Sequence, residues 1–295
     1  MNKLRLGFTD TFGAVENFFT TLLSREFDVI RDDQNPDYLI FGDRNFGTQN
    51  LYFNDKKCIK IFYTGENERP DNYYRHFSIG FDHNDDGGRH YRLPLYVLYE
   101  FDNISRGISS VHNLTRTQQD LAKKWDQPFC SFVVKNGNCK KRNEFFHRLN
   151  QYAGVASGGP LFNNIGGVLP RGDQSVQAKV KFLEGYKFNL CFENASYPGY
   201  ATEKLFEALI SKTVPIYWGS PTIECDFNPS SFLNWHDFQD DDKFFKAITD
   251  VHNSKELYEH MFMMATLNFD APNKYFNYDR FLWWFKKTVY QGEMK

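Results

Sequence analysis

The stretch YKFNLCFENASYPGYATEKLFEALISKTVPIYWGSP, Tyr186 to Pro221, decides how the rest of the chain is read. Phe188 to Phe192 is an apolar run of strand length. Glu193 to Gly199 is polar and closes on the turn pair Pro198-Gly199. Leu205, Ala208 and Leu209 then recur at helical spacing, which predicts a helix over Thr202 to Ser211. Val214 to Tyr217 is a second apolar run, stopped by Gly219 and Pro221. Strand, loop, helix, strand is the repeat of a parallel α/β sheet. In such sheets ligands bind beyond the carboxyl ends of strands. The loop enters a helix N-terminus, where free N–H groups and the helix dipole favour an anion. Lys204 sits in that first turn, against the dipole, and makes sense there if it neutralises a phosphate. Glu203 beside it offers a carboxylate to sugar hydroxyls. On charge pattern alone both residues also read as ordinary solvated helix positions. Neither G-x-x-x-x-G-K-[ST] nor G-x-G-x-x-G occurs, so those phosphate loops are not the explanation.

The same rhythm extends outward. Leu4 to Phe8 reads as a strand. Val15, Phe18, Phe19, Leu22 and Leu23 follow at the spacing of an amphipathic helix. Strand runs come next at Phe27–Ile30, Tyr38–Phe41 and Cys58–Tyr63, each bounded by turn-forming residues. Ser105 to Gln127 is polar and weakly patterned, and a domain boundary is placed there. Phe129 to Val134 restarts the strands, and Lys141 to Tyr152 reads as a helix with Phe145, Leu149 and Tyr152 on one face. Val155 to Gln174, rich in Gly and Pro, reads as a loop. Lys243 to Met264 reads as one helix. Phe281 to Tyr290 is an aromatic helical segment carrying Lys286 and Lys287, with two readings: packed on the protein or lying on a membrane surface.

Composition bounds the function. The chain has 295 residues, with Lys+Arg 35 against Asp+Glu 37, so it lacks the basic excess of a nucleic-acid coat. Phe (31) and Tyr (17) are abundant, and most are expected in the core, although such rings also stack on sugars. The five cysteines, Cys58, Cys130, Cys139, Cys191 and Cys225, are widely spaced with no C-x-x-C, which argues against a disulfide framework or zinc site and for a reducing compartment. No apolar run reaches membrane-span length and the start has no signal-peptide pattern, so a cytoplasmic protein, peripheral on the membrane at most, is expected. The sequons at Asn103, Asn113 and Asn194 then carry no meaning.

The Tyr186–Pro221 stretch resembles the signature of the α-1,3/4-fucosyltransferases, glycosyltransferase family 10. Its three parts stand here as Phe188 to Asn194, Gly199 to Lys204 and Val214 to Gly219. The likeness continues through Asp226-Phe227-Asn228-Pro229 and Ser231-Phe232. Upstream, Tyr63-Thr64-Gly65-Glu66-Asn67, Ile79-Gly80-Phe81-Asp82 and Arg92-Leu93-Pro94-Leu95 resemble the bacterial branch. The likeness spans residues 58 to 270 or so, and the N-terminal anchor and paired cysteines of the animal branch are not seen. The resemblance implies an α/β GT-B fold, two Rossmann-like domains facing across a cleft. It places an acceptor domain at 1–115, a GDP-fucose domain at 126–270 and a helical tail at 271–295.

It also implies roles. Asn194, Tyr200, Glu203 and Lys204 match donor-binding positions, with Lys204 on the diphosphate and Glu203 on ribose or fucose hydroxyls. Arg142 matches the arginine that clamps the diphosphate; by pattern alone it is a surface residue of a basic helix start. Glu66 matches the catalytic base, on a loop just past a strand; otherwise it is a solvated glutamate. The implied reaction is inverting: GDP-β-L-fucose gives an α-linkage to O3 or O4 of GlcNAc, or Glc, in a Gal-GlcNAc-type glycan, a Lewis-antigen-like product. One base on the acceptor suffices, and the diphosphate leaves without an acid. No cofactor and no metal are expected, because Asp85-Asp86 and Asp240-Asp241-Asp242 read as loop or helix-start residues. Tyr73, Tyr74, His76 and Trp125 are candidates for stacking on the acceptor. The competing readings are a transferase for another GDP-sugar and a GDP-sugar-binding protein without turnover.

Overall fold

The computed structural model describes residues 2–105, 114–170, 175–268 and 276–291. The chain divides into two units, Met1–Asp102 with Pro272–Lys295, and Asn103–Ala271. Residues 272–295 thus group with the first unit, and the division falls at Asp102/Asn103. The expected sequon at Asn113 lies outside the described residues.

The first unit is built on six parallel strands: β1 (Asn2–Thr9), β2 (Phe27–Arg31), β3 (Tyr38–Phe41), β4 (Ile59–Tyr63), β5 (Phe77–Gly80) and β6 (His90–Arg92). Their order is β2-β1-β3-β4-β5-β6. Central strands of a parallel sheet are covered on both faces, which is why Leu39, Ile40, Ile61 and Phe62 are all fully buried. Helix α1 (Gly13–Leu23) lays Val15, Phe18, Phe19, Leu22 and Leu23 against the sheet, the stripe read from their spacing. Helix α2 (Leu95–Ser105) follows β6. Strands β5 and β6 and helix α2 have no counterpart in the sequence reading. The strands are three and four residues long, and LYVLYEF in α2 is too uniformly apolar to show a period.

The second unit has five parallel strands: β7 (Cys130–Phe132), β8 (Val155–Ser157), β9 (Phe188–Phe192), β10 (Val214–Trp218) and β11 (Leu233–Asn234), in the order β11-β10-β9-β7-β8. Around them lie α3 (Gln118–Lys124), α4 (Lys140–Ala153), α5 (Ser175–Leu183), α6 (Glu203–Ile210), α7 (Asp241–Asn253) and α8 (Lys255–Met263). Three expectations change. The Gly/Pro-rich segment after α4 opens with strand β8, an edge strand too short to show alternation. Gly154, at φ +78°, turns the chain from α4 into it. Residues 171–174 of that expected loop lie outside the described ones. The single helix expected over Lys243–Met264 is two, broken at Ser254, whose extended backbone (φ −109°, ψ 112°) and Oγ, accepting from Leu257 N, start α8. And α5 was not foreseen.

The aromatic C-terminal helix α9 (Tyr278–Trp284), with a π-helical turn over Phe285–Tyr290, is packed within the first unit. Phe281 meets Phe18, Phe19 and Tyr91; Phe285 meets Phe27; Trp284 Nε1 donates to Gly88 O at 2.9 Å. The aromatic face is therefore spent on packing, and Trp283, 65% exposed, points the other way. Among the described residues no helix is long and apolar enough to cross a membrane. All five cysteines are free thiols.

Buried cations tie the second unit together on the side away from the strands' carboxyl ends. Lys124 Nζ donates to three carbonyls, Glu184 O, Tyr186 O and Ser211 O, at the ends of α5 and α6. Arg116 donates to Phe262 O and Thr213 O. Lys187 donates to His252 O and lies 3.6 Å above the Trp125 ring. The Trp125 ring, a candidate for stacking on the acceptor by sequence, is thereby occupied. Each carbonyl left dry without its donor costs about 1–3 kcal/mol. Lys124→Met is therefore expected to destabilise the protein by more than about 3 kcal/mol. Urea unfolding checks this: a loss within about 0.5 kcal/mol, the range of an ordinary surface change, would show that water replaces the lysine.

Candidate active site

Both sheets have a topological switch point, where consecutive crossovers leave a strand in opposite directions. In the second unit it lies at β7 and β9. There the sequence Glu193-Asn194 leaves the end of β9 and the chain runs through a loop into α6. Gly199 takes φ +82°, a conformation open to glycine, and its N–H donates to Ser220 Oγ and Thr222 Oγ1. The loop is thus fastened to the segment after β10. Gly219 is required for a different reason: a Cβ there would lie 2.5 Å from Glu193 Cγ and from Tyr217 Oη.

Glu193, fully buried, is the hub. Its carboxylate accepts from Thr202 N (2.8 Å), Thr202 Oγ1 (2.7 Å) and Lys204 Nζ (2.9 Å). Thr202 is the residue before α6, and its side chain makes no capping bond to the helix. Its hydroxyl is turned to Glu193 instead. Lys204 Nζ also donates to Thr202 Oγ1 and lies 3.7 Å from Glu203 Oε1. Burial opposes the Lys204 charge, but Glu193 and Glu203 outweigh it and raise its affinity for the proton. Burial likewise opposes the Glu203 charge, yet Lys204 and Lys179 bring this carboxyl down from 4.5 to about 2. Lys179, on α5, pairs with Glu207 and stands 3.9 Å from Glu203.

Arg142, from the first turn of α4, is 0% exposed. Nη1 donates to Asn194 Oδ1 at 2.8 Å and to Phe192 O at 3.2 Å, and Nη2 donates to Asn136 O. These acceptors are neutral, and Arg142 makes no ion pair among the described residues. Burial lowers its proton affinity, offset in part by Cys139 and Glu193. A fully buried guanidinium on neutral partners leaves its charge available to an anion nearby. Tyr200, also buried, lies in the electrostatic field of Arg142. The structure therefore gathers Arg142, Asn194, Tyr200, Glu203 and Lys204 in one place. It adds Glu193 and Lys179, which the sequence reading passed over. In the sequence Glu193 reads only as the first residue of a polar loop, beside Asn194. Lys179 stands on the helix that showed no pattern. Nearby, at the carboxyl ends of β7 and β8, a cavity of about 200 Å³ is lined by Val133, Val134, Val168, Leu169 and Lys179.

In the first unit the switch point is at β1 and β3. A cavity of about 120 Å³ lies at the carboxyl ends of β1, β3 and β4, lined by Asp10, Phe12, Asp43, Phe46, Glu66 and Tyr99, with Tyr63 and Thr64. Glu66 thus stands on a pocket wall, not on open surface. Burial first, then Tyr99, Asp43 and Glu66, push the Tyr63 phenol well up. Phe12 and Phe46 pair at 5.3 Å between centroids beside it. The expected stackers lie elsewhere: Tyr73 is stacked on Phe62 at 4.2 Å, and His76 Nδ1 accepts from Lys60 N. Tyr74, 60% exposed, lines a separate depression with Lys56 and Lys57. Both acidic runs are committed to turns: Asp240 caps α7 by accepting from Asp242 N and Lys243 N, and Asp85 accepts from Gly87 N.

The family described as "Alpha-(1,3)-fucosyltransferase FucT N-terminal domain" matches residues 5–99, and "Glycosyltransferase family 10 (fucosyltransferase) C-term" matches residues 122–266. The Alpha-(1,3)-fucosyltransferase FucT of Helicobacter pylori is 35% identical over 282 residues, 86% of this chain. The chain spans only 57% of the length of that relative. A crystal structure of an α1,3-fucosyltransferase superposes with a TM-score of 0.82 at 29% identity, covering 98% of this chain and 90% of the other. One of an α1,3-fucosyltransferase with GDP-fucose superposes at 0.76 and 28% identity, covering 97% and 90%. The fold is GT-B, two Rossmann-like α/β units. The chain belongs to glycosyltransferase family 10, the fucosyltransferases.

The depressed Glu203 carboxyl has a measurable sign. The unfolded chain binds its proton from pH 4.5 downward, the folded chain only near pH 2. The ion-pair stability is therefore present above pH 4.5 and lost as pH falls toward 2. The stability difference between the protein and Glu203→Gln, measured by urea unfolding, is expected to be largest above pH 5 or so and to vanish near pH 2. A difference constant across that window would mean that Lys204 and Lys179 do not hold the charge.

Proposed function

We propose that this protein transfers L-fucose from GDP-β-L-fucose, with inversion, to a hydroxyl of GlcNAc or Glc in a Gal-GlcNAc-type glycan. The observation that carries the reading is Lys204 in the first turn of α6, beside the buried guanidinium of Arg142 and the end of β9. Family membership and the donor named for the solved relative support it.

In this reading Lys204 turns from Glu193 to the diphosphate as the donor enters. Arg142 and the α6 N-terminus add to the positive field there, stabilising the charge that builds on the leaving GDP. Glu203, held ionised, accepts from ribose or fucose hydroxyls, and Asn194 and Tyr200 complete the donor contacts. The apolar cavity beside Lys179 suits a flat base. Glu66 takes the proton from the attacking hydroxyl as the new bond forms, the transfer being concerted with attack. Placing both substrates in line supplies much of the remaining acceleration. With cations doing this work, no metal is required; transfer abolished by EDTA and restored by Mn would overturn that part.

The test pairs an acceptor array with two variants. Incubation with GDP-fucose and Galβ1-4GlcNAc, Galβ1-3GlcNAc or lactose is expected to fucosylate at least one of them; GDP-mannose is expected to give no product, and transfer from it instead would assign another donor. Lys204→Ala is expected to weaken GDP binding at least tenfold or so by calorimetry, the size of a lost charge-assisted contact. Glu66→Ala is expected to keep GDP affinity and lose most transfer, about a hundredfold or more. Normal turnover in Glu66→Ala removes it from the mechanism.

A further inference from the structure

Glu66 stands on a loop, and a base must be held to within a fraction of an ångström of its target. What holds it can be traced through strand register. Strands β3 and β4 pair in parallel with Phe41 opposite Phe62. Two residues further on, past the end of the ladder, the same register sets Asp43 opposite Thr64. The two side chains meet: Thr64 Oγ1 donates to Asp43 Oδ2 at 2.8 Å. The same Oγ1 accepts from the backbone N–H of Glu66 at 3.0 Å. Asp43 is thus linked through one hydroxyl to the backbone of Glu66.

Asp43 is 1% exposed, and Thr64 is 2% exposed. Asp43 makes no ion pair among the described residues, and its carboxylate is held by side-chain hydrogen bonds. Half of that carboxylate has a local use: Oδ1 accepts from Asn45 N and closes a turn. An asparagine side chain closes such turns without a charge. The second oxygen goes to Thr64, and a charged acceptor shortens and strengthens that bond. The intervening Gly65 lies flat against Leu95: a Cβ there would come within 2.7 Å of Leu95 Cδ1. The Thr-Gly-Glu turn is therefore fixed from below by Leu95 and from the side by Asp43.

We propose that Asp43 and Thr64 are positioning residues for Glu66, aligning its carboxylate through the Thr64 hydroxyl. This rests on the reading of Glu66 as the base. Thr64 touches neither substrate in this role, so its loss lowers turnover and leaves donor affinity alone.

The experiment compares Thr64→Val, which keeps the shape and deletes the hydroxyl, with Thr64→Ser, which keeps the hydroxyl, and with Glu66→Gln. Steady-state kinetics are run with GDP-fucose and whichever of Galβ1-4GlcNAc, Galβ1-3GlcNAc and lactose is fucosylated fastest. Thr64→Val is expected to lower kcat by about tenfold to a hundredfold, the cost of a misplaced reacting group, with KM for GDP-fucose unchanged within about twofold. Thr64→Ser is expected to restore kcat to within about threefold of the original. Thermal melts of all three, with a calorimetric count of GDP-binding sites, give the folded fraction; a simple loss of folded protein lowers apparent kcat with KM unchanged, so each kcat is divided by that fraction before comparison. Glu66→Gln inactive with Thr64→Val at full kcat overturns the positioning role alone. Equal loss in Thr64→Val and Thr64→Ser also overturns it, since the hydroxyl is then not what matters. An active Glu66→Gln, or no transfer to any of the three acceptors, overturns the base reading and this inference with it.

Discussion

The carboxylate of Glu193 is the constraint on which the polar cluster of the second unit depends. It is fully buried, so it must be answered by donors, and Thr202 N, Thr202 Oγ1 and Lys204 Nζ answer it. In doing so it turns Thr202 away from capping α6, brings a lysine to a helix start where the dipole disfavours one, and demands glycine at position 219. Removing one partner from a buried pair of this kind costs about 3–5 kcal/mol. The motif residues around it are thus one connected polar object, and its geometry explains their spacing better than any single role does.

Much of this was legible in the sequence. The helical stripe of α1 and the runs of β3, β9 and β10 were read at or near their true limits, because each has a strong period or a full apolar run. The cluster in the second unit was legible through resemblance: five residues singled out there do come together. Lys179 was not, since it reaches Glu203 and Glu207 from a helix distant in sequence and weakly patterned. The pocket around Glu66 was not either. Its walls come from three strand ends and from α1 and α2, and the parallel register brings Asp10, Asp43 and Glu66 to one place. Periodicity reports which face a residue takes; it does not report which neighbours the sheet will supply.

Two of the aromatics named as candidates for stacking on the acceptor, Tyr73 and Trp125, carry the same lesson. In the fold Tyr73 stacks on Phe62 and Trp125 receives the Lys187 ammonium. With so many rings in the chain, ring–ring and ring–cation packing is the default use, and the tail helix shows it at larger scale, its apolar face absorbed by α1 and the sheet.

Helix α6 is anchored at both of its ends. At its start the Glu193 network holds Thr202 and Lys204; just past its finish, Lys124 holds Ser211 O together with the ends of the α5 region. A helix of eight residues pinned by two buried polar centres has almost no freedom to slide or tilt. A ligand meeting this helix is then accommodated by side-chain rotamers and not by backbone movement. Substitutions that retune what binds there would have to change the residues that face this rigid rod and leave the rod alone.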